Sequence, residues 1–298
     1  MRVWRSLLFV PANQRRMIDK LSSLPADGFI LDLEDTVPMS EKKAARSIVA
    51  EYFSKNTGNN TWIRCNPLTT DDLHEDLEAF AGTPGLAGFV LPKLESREDV
   101  AAVDRILADI EAGKSLPVGR IPIIAIIETA LAVLEAHRIA TGAKRVESLI
   151  YGGGEDGDMN LSLGATWSSA GPEMMLPRQL SVLSARAARI EYPMDGVYSN
   201  VKDLEGFERD TILSKRLGFC GRAVIHPSQI PIANRIYMPS EAEIEYYSRV
   251  QASFEAAVAQ GIASITVDGK LVDASMAERA ARVLELAKSI RAANGRIS

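Results

Sequence analysis

The chain carries only two cysteines and three histidines in 298 residues, which leaves little for disulfide or soft-metal chemistry. Cys65 and Cys220 lie far apart and form no Cys-x-x-Cys pair, so neither a disulfide framework nor a zinc centre follows from them. Cys65 sits in an apolar strand pattern and reads as a buried small hydrophobe. A reducing, cytoplasmic compartment suits this usage. Excess basic charge is also missing: 34 Lys and Arg face 39 Asp and Glu, a net charge of −5. That balance argues against nonspecific nucleic-acid binding, which needs a basic surface. No stretch approaches the roughly 20 apolar residues of a membrane helix. The opening "MRVWRSLLFVPANQRR" has early arginines, but its apolar run stops at Pro11 with no small-residue cleavage site, so it is read as a strand rather than a signal peptide.

What is present is an ordinary globular composition, 46% hydrophobic and 24% charged. Eight short apolar runs alternate with longer helical patterns: Ser6–Val10, Gly28–Leu33, Thr61–Cys65, Ala87–Leu91, Ile121–Ile127, Ser148–Gly152, Asp195–Ser199 and Ala223–Pro227. Most lack polar alternation, as strands buried on both faces do. The segments between them carry helix signals, with Ser40 and Ser96 as N-caps and Gly113 as a stop. Eightfold strand–helix alternation predicts a (β/α)₈ TIM-type barrel over residues 1–238, with a doubly wound open sheet as the alternative. From about Pro239 the rhythm changes to a long amphipathic helix, a strand pair turning at "DG" and a final helix, a C-terminal helical extension and lid over residues 239–298.

In such a barrel the chemistry sits at the C-terminal ends of the strands. Reading those ends gives Asn13; Asp32, Glu34 and Asp35; Arg64 and Asn66; Lys93; Glu128; Glu155, Asp156 and Asp158; Asn200; and His226. Glu128 closes the most hydrophobic run, "IPIIAIIE", and an unpaired buried charge is costly, so that strand is expected to open into a polar pocket. Arg64 inside "TWIRCN" needs a partner for the same reason. Several acids on one rim call for a cation, either Arg64 and Lys93 or a divalent metal. Hard oxygen ligands suit Mg²⁺. Singly, each residue has a plainer reading: first-turn helix acids, a solvated acidic loop, a rim histidine.

Several motifs resemble the citrate lyase β-subunit group of the HpcH/HpaI aldolase and citrate lyase superfamily. They are "RSLLFVPAN", "GFILDLEDTVPMSEKKAAR", "IRCNPLTT", "LPKLES", "IIETALAVLEAHRIA", "GFCGRAVIHPSQI" and "VDGKLVDASMAERA", and together they span nearly the whole chain. The resemblance implies a barrel enzyme, usually Mg²⁺-dependent, that cleaves or forms citryl, malyl or citramalyl thioesters carried on CoA or a carrier protein. It implies Glu128 and Asp156 as metal ligands, Arg64 as a substrate-binding and catalytic group expected to make a forked contact, Glu128 as also lying against the substrate, and Glu34 and Asp35 as holders of metal-bound water. Lys93 is taken to bind the cofactor portion of the substrate. Asp273 is implied on a lid segment that reaches a neighbouring subunit and does acid/base work. The partners expected are an acyl thioester, a 2-keto acid and further copies of the chain, with a trimer favoured. Alternatives are an aldolase acting on free hydroxy-keto acids, a thioesterase or synthase variant, and a non-enzymatic binding subunit of a lyase complex.

Overall fold

Eight parallel strands pair in sequence order and close into a barrel, β8 returning to β1. In the computed structural model, which describes residues 3–155, 157–168 and 171–294, they are β1 Ser6–Pro11, β2 Gly28–Asp32, β3 Thr61–Arg64, β4 Leu86–Leu91, β5 Ile123–Ile127, β6 Val146–Tyr151, β7 Met194–Asp195 and β8 Gly221–Val224. The barrel is thus the one the sequence predicts, not the open sheet. β2 and β5 are buried along their whole length, which is why their sequences show no polar alternation. The interior is filled by Leu7, Ile30, Trp62, Val90, Ile124 and Ile150 among others. Trp4 meets Trp62 edge-on at 5.9 Å. Each such large apolar side chain contributes about 1.5–3 kcal/mol on burial.

The helices of this region are α1 Arg15–Ile18, α2 Lys42–Lys55, α3 Asp72–Phe80, α4 Arg97–Gly113, α5 Ala130–Ala140, α6 Asp158–Leu163, α7 Met175–Ala187 and α8 Leu204–Leu217, with α9 Ile230–Tyr237 following β8. Ser96 caps α4 reciprocally with Asp99, and Thr129, directly after Glu128, caps α5 through the Ala132 amide. Such caps fix the angle at which the chain leaves a strand end. Two expectations are corrected. Ser40 is no N-cap: Pro38 leads into a 3₁₀ turn over Met39–Glu41, and α2 starts only at Lys42. Strand seven is two residues long and does not reach Ser199, because the carbonyl of Gly196 is taken by the Arg222 guanidinium instead of a neighbouring strand.

Two compact units result, Trp4–Asn234 and the segment from Arg235 onward together with Val3, the boundary falling inside α9. In the second unit, Ser240 caps α10 (Glu241–Val258) in a capping box with Glu243. Strands β9 Ile265–Val267 and β10 Lys270–Val272 form the expected hairpin. Its two turn residues, Asp268 and Gly269, have φ of 48° and 76°, the left-handed pair a tight hairpin turn needs. Helix α11, Ala274–Asn294, completes the unit, whose core includes Tyr247, Val250, Val267, Val272 and Ala280. Among the described residues no helix is long and apolar enough to cross a membrane.

Candidate active site

A cavity of about 260 Å³ opens at the C-terminal ends of the strands, its wall including Phe9, Asp35, Arg64, Glu128, Glu155 and Asp158. Register determines who meets whom. Asp32 at the end of β2 lies directly beside Arg64 at the end of β3. Arg64 Nε and Nη2 donate to the two oxygens of Asp32 at 2.7 and 2.6 Å. Asp32 is wholly buried and also accepts from the Thr36 hydroxyl at 2.6 Å and the Glu34 amide at 2.9 Å. Burial pushes the Asp32 carboxyl up, but the Arg64 charge and these hydrogen bonds outweigh it and hold it below its ordinary value. The Arg64 guanidinium stands 5.1 Å from the centre of the Phe9 ring, a cation–π distance.

Glu34 bridges the two cations of the site. Its oxygens lie 2.8 Å from Arg64 Nη1 and 2.8 Å from Lys93 Nζ. Both oxygens are buried, and neither contact has hydrogen-bond alignment. The close ion pairs matter more here than the missing alignment, since charge attraction falls off slowly with angle. Burial nonetheless leaves the Glu34 carboxyl above its ordinary value. Lys93 Nζ also lies 3.3 Å from Asp35.

Glu128, the acid at the end of β5, is 6% exposed. Its Oε1 accepts from the Lys93 backbone amide at 2.7 Å. Among the described residues Oε2 has no protein partner. Lys93 reaches this geometry in the left-handed region, φ 54°, an uncommon conformation for a residue with a side chain. It sends its amide to Glu128 while its ammonium serves Glu34 and Asp35. Burial, with the charges of Glu34 and Asp158 adding to it, pushes the Glu128 carboxyl up to about 7 against the pull of the Lys93 amide and Arg64. Gly152 makes room for it: a Cβ there would stand 2.4 Å from the Cβ of Glu128. The "GGG" run after β6 therefore lets the backbone pass close to the site acid and is not a phosphate loop.

The structure brings Arg64, Glu34, Asp35, Lys93 and Glu128 together as a connected set. Asp156 lies outside the described residues. Asp273 belongs to the second unit, where its side chain accepts from the Met276 amide at 3.0 Å and caps α11. The forked contact of Arg64 expected for a ligand is made to Asp32 instead. Four strand-end residues are engaged away from the cavity. Asn13 donates to Glu41, Asn66 is buried against Asp76, Asn200 accepts from the Lys202 amide, and His226 pairs with Ser228. Sequence reading notes Asp32 only as one of an acid cluster and misses Phe9 altogether. The odd arginine in β3 is the signal for Asp32, because a parallel neighbour at the same level is its nearest possible partner.

Among the described residues no group of three or more His, Cys, Asp or Glu is spaced to hold a metal by itself. The donor chemistry still fits a hard divalent cation. Glu128 offers an oxygen without a partner among the described residues and a carboxyl that burial makes reluctant to ionise alone, and Glu155 and Asp158 line the same cavity. Oxygen donors without histidine or cysteine favour Mg²⁺ over zinc.

Residues 5–227 match the family described as HpcH/HpaI aldolase/citrate lyase. The citrate lyase subunit beta of Haemophilus influenzae is 33% identical over 291 residues, 97% of this chain and 98% of that protein. A (3S)-malyl-CoA thioesterase of Cereibacter sphaeroides is likewise 33% identical over 291 residues, 97% of this chain and 96% of that protein. The crystal structure of CitE from Mycobacterium tuberculosis, in complex with magnesium, acetoacetate and coenzyme A, superposes with a TM-score of 0.76 at 28% identity, covering 97% of this chain and 100% of that one.

Proposed function

Because the chain belongs to the HpcH/HpaI aldolase/citrate lyase family, we propose that it is a carbon–carbon lyase acting on a 3-hydroxyacyl-CoA thioester of the citryl, malyl or citramalyl type. The products are a 2-keto acid and a shorter acyl thioester such as acetyl-CoA. The observation that carries this reading is Glu128, a buried carboxylate with one oxygen fixed by Lys93 and the other without a partner among the described residues, in a cavity it shares with Arg64.

Glu128 and Asp156 would hold Mg²⁺. When bound, the ion supplies Lewis-acid polarisation of the substrate's carboxylate and adjacent hydroxyl. The Lys93 amide orients Glu128 toward that task. Arg64, locked in place by Asp32, presents its remaining N–H donors to negative oxygen on the substrate and stabilises charge developing there. Glu34 ties Arg64 to Lys93, and Asp35, exposed at the cavity wall beside Lys93, holds water at the rim. The hydroxyl loses its proton to a base, the carbon–carbon bond breaks, and its electron pair passes to the carbon beside the thioester, which then takes a proton from an acid. Asp273, brought by the C-terminal segment of a neighbouring copy in a homo-oligomer, trimer favoured, serves as that acid/base.

A second reading is favoured by one finding: the malyl-CoA thioesterase matches at the same identity as the lyase subunit. Product analysis separates the readings. The purified chain is incubated with Mg²⁺ and citryl-, malyl- and citramalyl-CoA, and with a free 4-hydroxy-2-keto acid. A 2-keto acid with acetyl-CoA supports the lyase. Free CoA thiol with an intact hydroxy acid makes it a thioesterase, and cleavage of the free acid alone makes it an aldolase.

A further inference from the structure

Lys42, the first residue of α2, is 6% exposed, and no carboxylate among the described residues lies within ion-pair distance of it. A buried ammonium without a counter-ion is costly. Its Nζ instead donates to two successive carbonyls, Leu33 at 2.6 Å and Glu34 at 2.7 Å. These carbonyls lie just past the end of β2, where the chain leaves the barrel sheet and turns. The same turn is held from the other side: the Glu34 amide donates to Asp32, and the Val37 amide donates to the Glu34 carbonyl. With both carbonyls held by Lys42, the Glu34 side chain is left to face Arg64 and Lys93.

We propose that Lys42 is a positioning residue, a buried cation that fixes the turn after β2 so that Glu34 bridges Arg64 and Lys93. It does not line the cavity and acts through the turn that carries Glu34. A methionine would fill the same volume without desolvating a charge, so packing does not account for a lysine here. Two polarised carbonyls within 2.7 Å of one ammonium do, since a charge-assisted hydrogen bond is roughly twice as strong as a neutral one.

The inference deepens the lyase reading and is tested so that the two can fail separately. Lys42→Met is made alone and in a Glu34→Gln background, giving a double-mutant cycle. Lyase turnover is measured with Mg²⁺ and the preferred thioester. Lys42→Met should lower kcat about tenfold, with KM moving less than about threefold, and should cost less than about twofold in the Glu34→Gln background. An equal loss in both backgrounds means that Lys42 acts as general scaffolding and overturns the proposal. If the chain cleaves no thioester, the lyase reading falls while the inference is still decided by the same cycle on the unfolding midpoint: a smaller effect of Lys42→Met in the Glu34→Gln background supports it, and additivity overturns it. If Lys42→Met does not fold, Lys42→Gln, shorter and uncharged, is run through the same cycle under the same two criteria.

Discussion

Replacing Asp32 by alanine removes the acceptor on which Arg64 closes its fork. Asp32 is fully buried and receives both Arg64 hydrogen bonds, the Thr36 hydroxyl and the Glu34 amide. Truncating one partner of a buried ion pair costs roughly 3–5 kcal/mol. The orphaned Thr36 hydroxyl and Glu34 amide add about 1 kcal/mol each. Arg64 keeps Glu34 at 2.8 Å and borders an open cavity, so water and Glu34 recover part of this and a net loss of about 3–4 kcal/mol is expected. At about 2–4 °C per kcal/mol for a chain of this size, the circular-dichroism melting midpoint should fall about 6–16 °C. The pH dependence has a definite sign. Asp32 titrates lower in the folded chain than in the unfolded one. Its contribution is therefore fully present above the unfolded value near pH 4, roughly, and is lost as pH falls through the folded value. The gap between wild type and Asp32→Ala should be constant from about pH 5 to 8 and narrow below about pH 4. A loss under about 1 kcal/mol, the size of an exposed pair, or a gap that widens on acidification, refutes the reasoning.

Arg64→Lys keeps the charge but cannot fork onto Asp32, and kcat/KM in the lyase assay should fall about a hundredfold or more. Gly152→Ala places a methyl group 2.4 Å from the Glu128 Cβ; Mg²⁺ affinity by calorimetry should weaken at least about tenfold while the fold persists. Glu128, pushed up to about 7, must lose its proton to bind a cation, so Mg²⁺ affinity should rise about tenfold per pH unit below 7 and level off above it. A flat affinity between about pH 5 and 8 would mean that Glu128 is not a ligand.

Periodicity carried most of the fold, because strands buried on both faces are written as unbroken apolar runs: β2, "GFILD", and β5, "IIAII", are legible by eye. The strand pattern of "DGVYS" runs past the end of β7, and only the capture of the Gly196 carbonyl by Arg222 shows where the ladder stops. At the site, residue types at strand ends pointed to Glu128, Arg64 and Lys93. Partnership was not legible, because it depends on register: Asp32 meets Arg64 through the alignment of β2 with β3. The role of Lys93 was hidden too. Its side chain reads as a cation, while the group that touches Glu128 is a backbone amide presented at positive φ. Lys42 reads as one more surface residue in "SEKKAAR", and only its burial against two carbonyls sets it apart.

The account stands on Glu128 as the acid through which the cavity works. The direct test compares wild type and Glu128→Ala side by side, with Mg²⁺ and the best hydroxyacyl-CoA, following the 2-keto acid as it is released. Wild type should release it in an Mg²⁺-dependent way, and Glu128→Ala, folded by circular dichroism, should release none above background. Undiminished keto acid from Glu128→Ala would contradict the account.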